Sequence, residues 1–216
     1  MLTRRAFAAA GAAALATATC KRTGGGDDAE PDVTPTEDLM REHGVLARLM
    51  LVLEAAAPRM DDSEAARTAI GNAAHLVREF VEDYHEALEE QHLFPRFQRS
   101  NVHAELVDTL AIQHRAGRAQ IDILLAGTDD HARTRHAIDA FLRMYRPHAA
   151  REDTVLFVDL PRVATGSELA ELGERFEREE HARFGPKGFV TIVGRVAEIE
   201  RTLDLDDLAR FTPAQS

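Results

Sequence analysis

From Thr36 to Leu203 the apolar residues recur with a period close to 3.6, and alternating runs of β-branched residues are scarce. Such a chain is restricted to helices packed on helices, because a half-buried strand needs a period of two. Prolines and glycines divide the run. The first predicted helix spans Thr36 to Ala57, with Thr36 as N-cap and Pro58 as its stop. The second spans Asp62 to Phe94 and is closed by Pro95. The third spans Ser100 to Ala126, with Gly127 after it. The fourth starts at Thr128, places Asp129 and Asp130 in its first turn, and runs to Asp159 before Pro161. A fifth spans Ser167 to Phe184, and a last one Gly188 to Leu203. No self-similar period of repeat-protein length is present. Four long helices with short connections predict an all-α, up-down-up-down four-helix bundle over residues 36–160. Additional C-terminal helices, 161–216, are expected to pack on the bundle.

The segment before the first helix reads as an address. Residues 1–20 combine Arg4-Arg5 with a short Ala-rich apolar run that ends in small residues. The run is too short for a membrane span. The order Thr3-Arg4-Arg5-Ala6-Phe7 is similar to a twin-arginine signal, which exports proteins already folded. Ala16-Thr17-Ala18 is a candidate cleavage site. Cys20, the single thiol, is a candidate lipid acceptor, although Thr17 stands where such signals carry an aliphatic residue. The expected location is therefore the periplasm or a bacterial membrane surface, with attachment only through a lipidated Cys20. Residues 21–35, with Gly24-Gly25-Gly26, Pro31 and Pro35, read as a flexible linker. One cysteine excludes a disulfide framework and a thiolate metal cluster. A net charge of −11 argues against a nucleic-acid partner.

Ten histidines in a chain with 6% aromatics require a reason. On the predicted helices, four of them fall in the stripe that should be apolar. His43 lies among Leu39, Leu46, Met50 and Leu53. His85 shares a face with Val77, Phe80, Val81, Tyr84, Leu88 and His92. His114 follows His103, Val107 and Leu110 and precedes Gly117, Ile121 and Leu124. His148 sits between Ile138, Phe141, Tyr145 and Val155. Two of the four carry a carboxylate four residues later, His85/Glu89 and His148/Glu152. Residues i and i+4 share one helix face, about 6 Å apart along the axis. A single core histidine is ordinarily just hydrogen-bonded to a backbone carbonyl. Four, with two carboxylates at matched depth, are costly unless a cation neutralises the acids and takes the imidazole lone pairs. The absence of thiolate disfavours structural zinc, and four imidazoles disfavour calcium. Mixed imidazole and carboxylate suits non-haem iron, with manganese or zinc as alternatives.

The segments Arg41-Glu42-His43-Gly44, Tyr84-His85-Glu86-Ala87-Leu88-Glu89-Glu90, Gln113-His114 and Pro147-His148-Ala149-Ala150-Arg151-Glu152-Asp153 resemble the hemerythrin-like, or HHE cation-binding, domain. The resemblance implies two non-haem iron ions joined by a bridging oxo or hydroxo group in a four-helix bundle. It further implies a small ligand such as dioxygen or nitric oxide, or a role in sensing iron. Carried over by position, His43, His85 and Glu89 serve one iron, His114, His148 and Glu152 the other, and the two glutamates bridge. Two departures stand out. Oxygen carriers of the family have a second histidine four residues after the third-helix one, where this chain has Arg118. They also use an aspartate five residues after the fourth-helix histidine. Asp153 has that spacing, but Glu152 is better aligned on an ideal helix and is the chosen ligand. His181 is a candidate extra imidazole, and Glu86 and His92 are candidate supporting groups. Tyr84 and Tyr145 flank the site, while His75, His103, His131 and His136 read as surface or helix-end residues. No nucleophile–base pair stands out, so a binding protein is expected rather than an enzyme. The competing readings are an exported helical module without metal and a ferritin-like di-iron oxidase. The latter needs Glu-x-x-His on two helices, whereas both instances here, Glu82/His85 and Glu89/His92, fall on one.

Overall fold

The computed structural model describes residues 33–127 and 129–213. The expected export signal, Cys20 and most of the expected linker lie outside the described residues, as does Thr128. Helix α1, Pro35–Ala56, is capped by Thr34 rather than Thr36. The Thr34 side chain accepts from the Glu37 backbone N–H, and the Glu37 carboxylate accepts from Thr34 N–H at 2.9 Å. Pro35 fits the first turn because the N–H it lacks has no partner there. Helix α2 covers 64–100 in consecutive segments. It is α-helical over Glu64–Leu76, Glu86–Leu88 and Phe94–Ser100, and π-helical over Val77–His85 and Glu89–Leu93. Pro95 does not end it, contrary to expectation: the preceding π turn is wide, so the proline sits in the first turn of a new α segment. The end comes at Asn101, in the left-handed region at φ 57°.

Helix α3 is Ala104–Leu125. Helix α4 is His131–Arg151 and continues as a π turn, Glu152–Leu156. Asp130, expected inside its first turn, is instead the N-cap, accepting from Arg133 N–H at 3.0 Å. The π turn also shifts the inward register: Leu156 and Phe157 are buried where Val155 was expected, and Val155 is half-buried. Helices α5, Gly166–Phe184, and α6, Gly188–Thr202, follow. Among the described residues there are six helices and no strand.

Helix α1 packs on α2 and α4, and α3 packs on the same two, which closes a four-helix ring. The short connections make sequential helices antiparallel neighbours. The ring core is built from Leu39, Leu46, Leu53, Phe80, Phe97 and Phe141, all buried. Helix α6 lies across α1 and α2, burying Ile192, Val196 and Ile199. Small Ala66, Ala69, Ala73 and Ala74 on α2 allow close approach of its neighbours. Helix α5 packs on α6 and α1. No helix among the described residues is long and apolar enough to cross a membrane.

Candidate metal centre

The four helices of the ring each deliver one histidine to a common interior. His43, His85, His114 and His148 are 6%, 3%, 0% and 3% exposed, and Glu89 and Glu152 are fully buried. His43 and His85 meet at 3.1 Å between their Nε2 atoms, and His114 and His148 at 3.2 Å. Each glutamate touches both pairs. Glu89 lies 3.7 Å from His85 Nε2 and 3.4 Å from His114 Nε2. Glu152 lies 3.1 Å from His148 Nε2 and 3.4 Å from His43 Nε2.

The outer nitrogens are all engaged by acceptors from other helices. His85 Nδ1 meets Glu42 at 2.6 Å, and His43 Nδ1 meets Asp153 at 2.7 Å. His114 Nδ1 meets Glu90, and His148 Nδ1 meets the Gln113 side-chain oxygen, both at 2.9 Å. An acceptor at Nδ1 makes that nitrogen the donor and leaves a lone pair on Nε2, directed inward. Two facing lone pairs at 3.1 Å repel unless a cation stands by them. The carboxylates point the same way: all four oxygens of Glu89 and Glu152 are buried without a hydrogen-bond partner. Orphaned carboxylate oxygens and converging imidazole lone pairs fit a pair of cations.

Without a cation, protons take its place among these groups. Burial, with Glu152 beside it, pushes the Glu89 carboxyl well above the usual carboxylate range. Burial would raise Glu152 as well, but His148 and His43 hold it below that range. Burial, with His43 next to it, drives His85 down, and burial also lowers His114. Burial would lower His43 too, but Asp153 and Glu152 outweigh it and bring the group up to about 9.

The site has an internal repeat. Each glutamate opens a π turn closed by a phenylalanine N–H five residues on, Phe94 to Glu89 and Phe157 to Glu152. The added residue turns each ring across to the other half. Phe94 stacks on His114 with centroids 5.4 Å apart, and Phe157 on His43 at 5.5 Å. The acid after each glutamate, Glu90 or Asp153, is the one that holds the opposite histidine. Asp153 therefore lies behind His43, with its side chain 35% exposed, while Glu152 faces inward. Sequence reading left Glu42, Glu90 and Gln113 without a role. The spacing His-x3-Glu-acid-x3-Phe, present at 85–94 and again at 148–157, is the signal that marks the repeat.

Arg118 turns away from the centre and pairs with Glu86 at 2.7 Å and Glu90 at 2.9 Å. Buried Glu86 also accepts from the Tyr145 hydroxyl. His92 contacts Glu179 at 3.2 Å and plays no part in the centre. His181 is exposed on α5 and belongs to neither cluster. His103 meets Asp159 at 2.6 Å and His131 meets Asp61 at 2.7 Å, while His75 and His136 are exposed.

The Hemerythrin family, described as the hemerythrin HHE cation binding domain, matches residues 34–160. Uncharacterized proteins of Mycobacterium bovis and of two strains of Mycobacterium tuberculosis are 42% identical over 194 residues, covering 86% of this chain and 76% of theirs. No solved structure matches the chain significantly. Histidines and glutamates gathered inside a four-helix ring, within the matched span, leave one conclusion: the chain belongs to the hemerythrin HHE cation-binding family, whose members bind metal ions, typically iron.

Proposed function

We infer that the chain is an exported non-haem di-iron protein that binds a small ligand such as dioxygen or nitric oxide. The observation that supports it best is the anchoring of all four imidazoles at Nδ1, which presents four Nε2 lone pairs to two buried carboxylates with no other partner. His43 and His85 would hold one iron, His114 and His148 the other, and Glu89 and Glu152 would be shared. Bound iron supplies redox-active positions able to take up a small diatomic ligand. The protein's own contribution is a buried interior: Phe94 and Phe157 cover two of the imidazoles, and Tyr145 lies against His148 with centroids 5.1 Å apart. Arg118, tied to Glu86 and Glu90, adds no ligand where the oxygen carriers have one, so reactive or sensory chemistry is favoured over plain carriage. Export rests on the Arg4-Arg5 segment. A protein translocated folded would carry metal acquired in the cytoplasm.

The test is metal analysis of the purified chain with its absorption spectrum in air and after reduction. About two irons per chain, with a near-ultraviolet ferric band that bleaches on reduction, is the expected result. No iron after anaerobic reconstitution would sink the reading and favour the metal-free module. Fractionation of cells producing the full chain and a form with Arg4 and Arg5 changed to Lys tests export. The expected outcome is loss of the mature form outside the cytoplasm.

A further inference from the structure

The two halves of the four-histidine centre repeat in shape but not in charge. On the side of His43 and His85 both outer nitrogens meet carboxylates, Asp153 at 2.7 Å and Glu42 at 2.6 Å. Among the described residues neither acid pairs with an arginine or a lysine. On the side of His114 and His148 both bonds are longer, at 2.9 Å, and the acceptors are weaker. His148 meets the neutral amide of Gln113. His114 meets Glu90, but the same oxygen, Oε1, also accepts from Arg118 at 2.9 Å. A second acid near His114 Nδ1, Glu86 at 4.0 Å, is taken by Arg118 at 2.7 Å and by the Tyr145 hydroxyl. Glu42 and Gln113 hold the same place in the repeat. Each directly precedes one histidine of its half, His43 or His114, and anchors the other, His85 or His148. Arg118, four residues after His114, has only Ala47 as its counterpart after His43. One half is thus backed by two carboxylates, the other by an amide and a carboxylate already paired with a guanidinium.

The acceptor behind an imidazole sets how strongly its far nitrogen donates. A cation at Nε2 keeps the ring proton on Nδ1, and a carboxylate there draws on that proton and makes the ring more basic. A bond to an ionised acceptor is shorter and roughly twice as strong as one to a neutral acceptor. The carboxylate charge also offsets the cation's own charge through a buried interior, whereas Arg118 cancels that benefit on the other side. On the reading that the four histidines hold two cations, we propose that the two positions are inequivalent. The His43/His85 position, backed by Glu42 and Asp153, binds a divalent cation first and more tightly. The His114/His148 position, backed by Gln113 and the Glu90–Arg118 pair, binds the second and releases it first. The shared carboxylates do not reverse that order, because Glu89 and Glu152 each touch one histidine of either half. Glu42 and Asp153 act through the imidazoles and are positioning residues. The repeat gives the two halves one geometry, and the exchange of Glu42 for Gln113, with Arg118 added, gives them different affinities.

The test reads metal affinity rather than activity. The metal-free chain is titrated with Co²⁺ against a competing chelator, and the two binding steps are resolved. The parent should take up two ions, the first about tenfold or more tighter than the second. Glu42→Gln puts the same amide behind both halves and should weaken the first step by about 10–100-fold, leaving the second nearly unchanged. Gln113→Glu should tighten the second step by about tenfold or more, a gain that altered packing alone does not produce. Helical circular dichroism should be unchanged in both. If Glu42→Gln does not fold, Asp153→Asn, at a side chain 35% exposed, reads the same step and should weaken it in the same sense. Repulsion between ions in two equal positions also separates the steps, but then Glu42→Gln would weaken the second step and spare the first. That result, a gain confined to the first step in Gln113→Glu, or two steps of equal intrinsic affinity in the parent overturns the inequivalence alone. No bound Co²⁺ overturns it together with the two-cation reading.

Discussion

Each imidazole of the centre is used at both nitrogens, one by a protein acceptor and the other by the interior. Replacing His43, His85, His114 or His148 by Leu should therefore abolish iron binding, measured as metal content after reconstitution. Retained iron together with raised stability would show that the histidines are only core residues. Gln113 has no direct share in the centre, so Gln113→Ala tests the anchoring alone. Loss of the Nδ1 partner of His148 should weaken metal affinity by about 10–100-fold, as read by competition with a chelator. A neighbouring residue carries a pH signature. Burial raises the Glu82 carboxyl from its ordinary 4.5 to about 7, although Arg78 and Arg118 pull the other way. The folded chain thus holds a proton that the unfolded chain releases between those values. Glu82 therefore costs stability increasingly as pH rises from 4.5 to 7, and the full cost persists above. Glu82→Gln should gain on the parent across that window, by roughly 3 kcal/mol at most. Urea midpoints at pH 5 and pH 8 measure the gain, and a difference independent of pH would contradict it.

At the scale of elements, the helix starts were partly legible and the π turns were not. Thr34 and Thr165 each cap a helix with a glutamate three residues on. That pattern is local and visible in sequence, yet the apolar period places the starts at Thr36 and Ser167, two residues past each cap. Thr165→Ala should cost about 1 kcal/mol and fray α5, seen as faster amide exchange in its first turn. Wide turns at Glu89–Leu93 and Glu152–Leu156 each send a phenylalanine onto a histidine of another helix. Their inserted residue is silent in a period of 3.6. The packing of α3 on α4 is closer than side chains elsewhere would allow. A Cβ at residue 117 would stand 2.5 Å from Tyr145 Cε2 and 2.8 Å from its Cζ. Phe141 stacks on that ring with centroids 4.4 Å apart, and Tyr145 is 1% exposed, so the tyrosine has little room to yield. Gly117→Ala should lower stability by about 1–3 kcal/mol, measured by chemical denaturation.

For the molecule as a whole, the metal centre and the fold are coupled. Glu89 and Glu152 repel across the bundle axis, and cations that bind only the folded chain stabilise it by mass action. At a hundredfold excess over Kd the gain is about 2.7 kcal/mol. For a chain of this size it corresponds to roughly 5–10 °C in Tm. Stripping the metal with a chelator should lower Tm by that order, and re-addition should restore it. An unchanged Tm after verified metal loss would show that the centre does not support the fold. Helices α5 and α6 are tied to the ring by buried Ile192 and Val196 and by ion pairs such as Arg48 with Glu200 and Arg96 with Glu168.

What the sequence by itself determined was the helical class, the six helices with ends up to six residues off, and the inward face on which each ligand histidine and glutamate lies. Helical period and i,i+4 spacing are local properties, and one turn of chain is enough to express them. Only the tertiary structure decided which nitrogen of each imidazole faces inward, because every Nδ1 acceptor arrives from another helix, Asp153 reaching His43 from 110 residues away. It likewise placed Asp153 behind His43 and drew Arg118 off to Glu86 and Glu90. These outcomes depend on the packing of helices distant in sequence, where a π turn or a bend moves a side chain by a third of a helical turn.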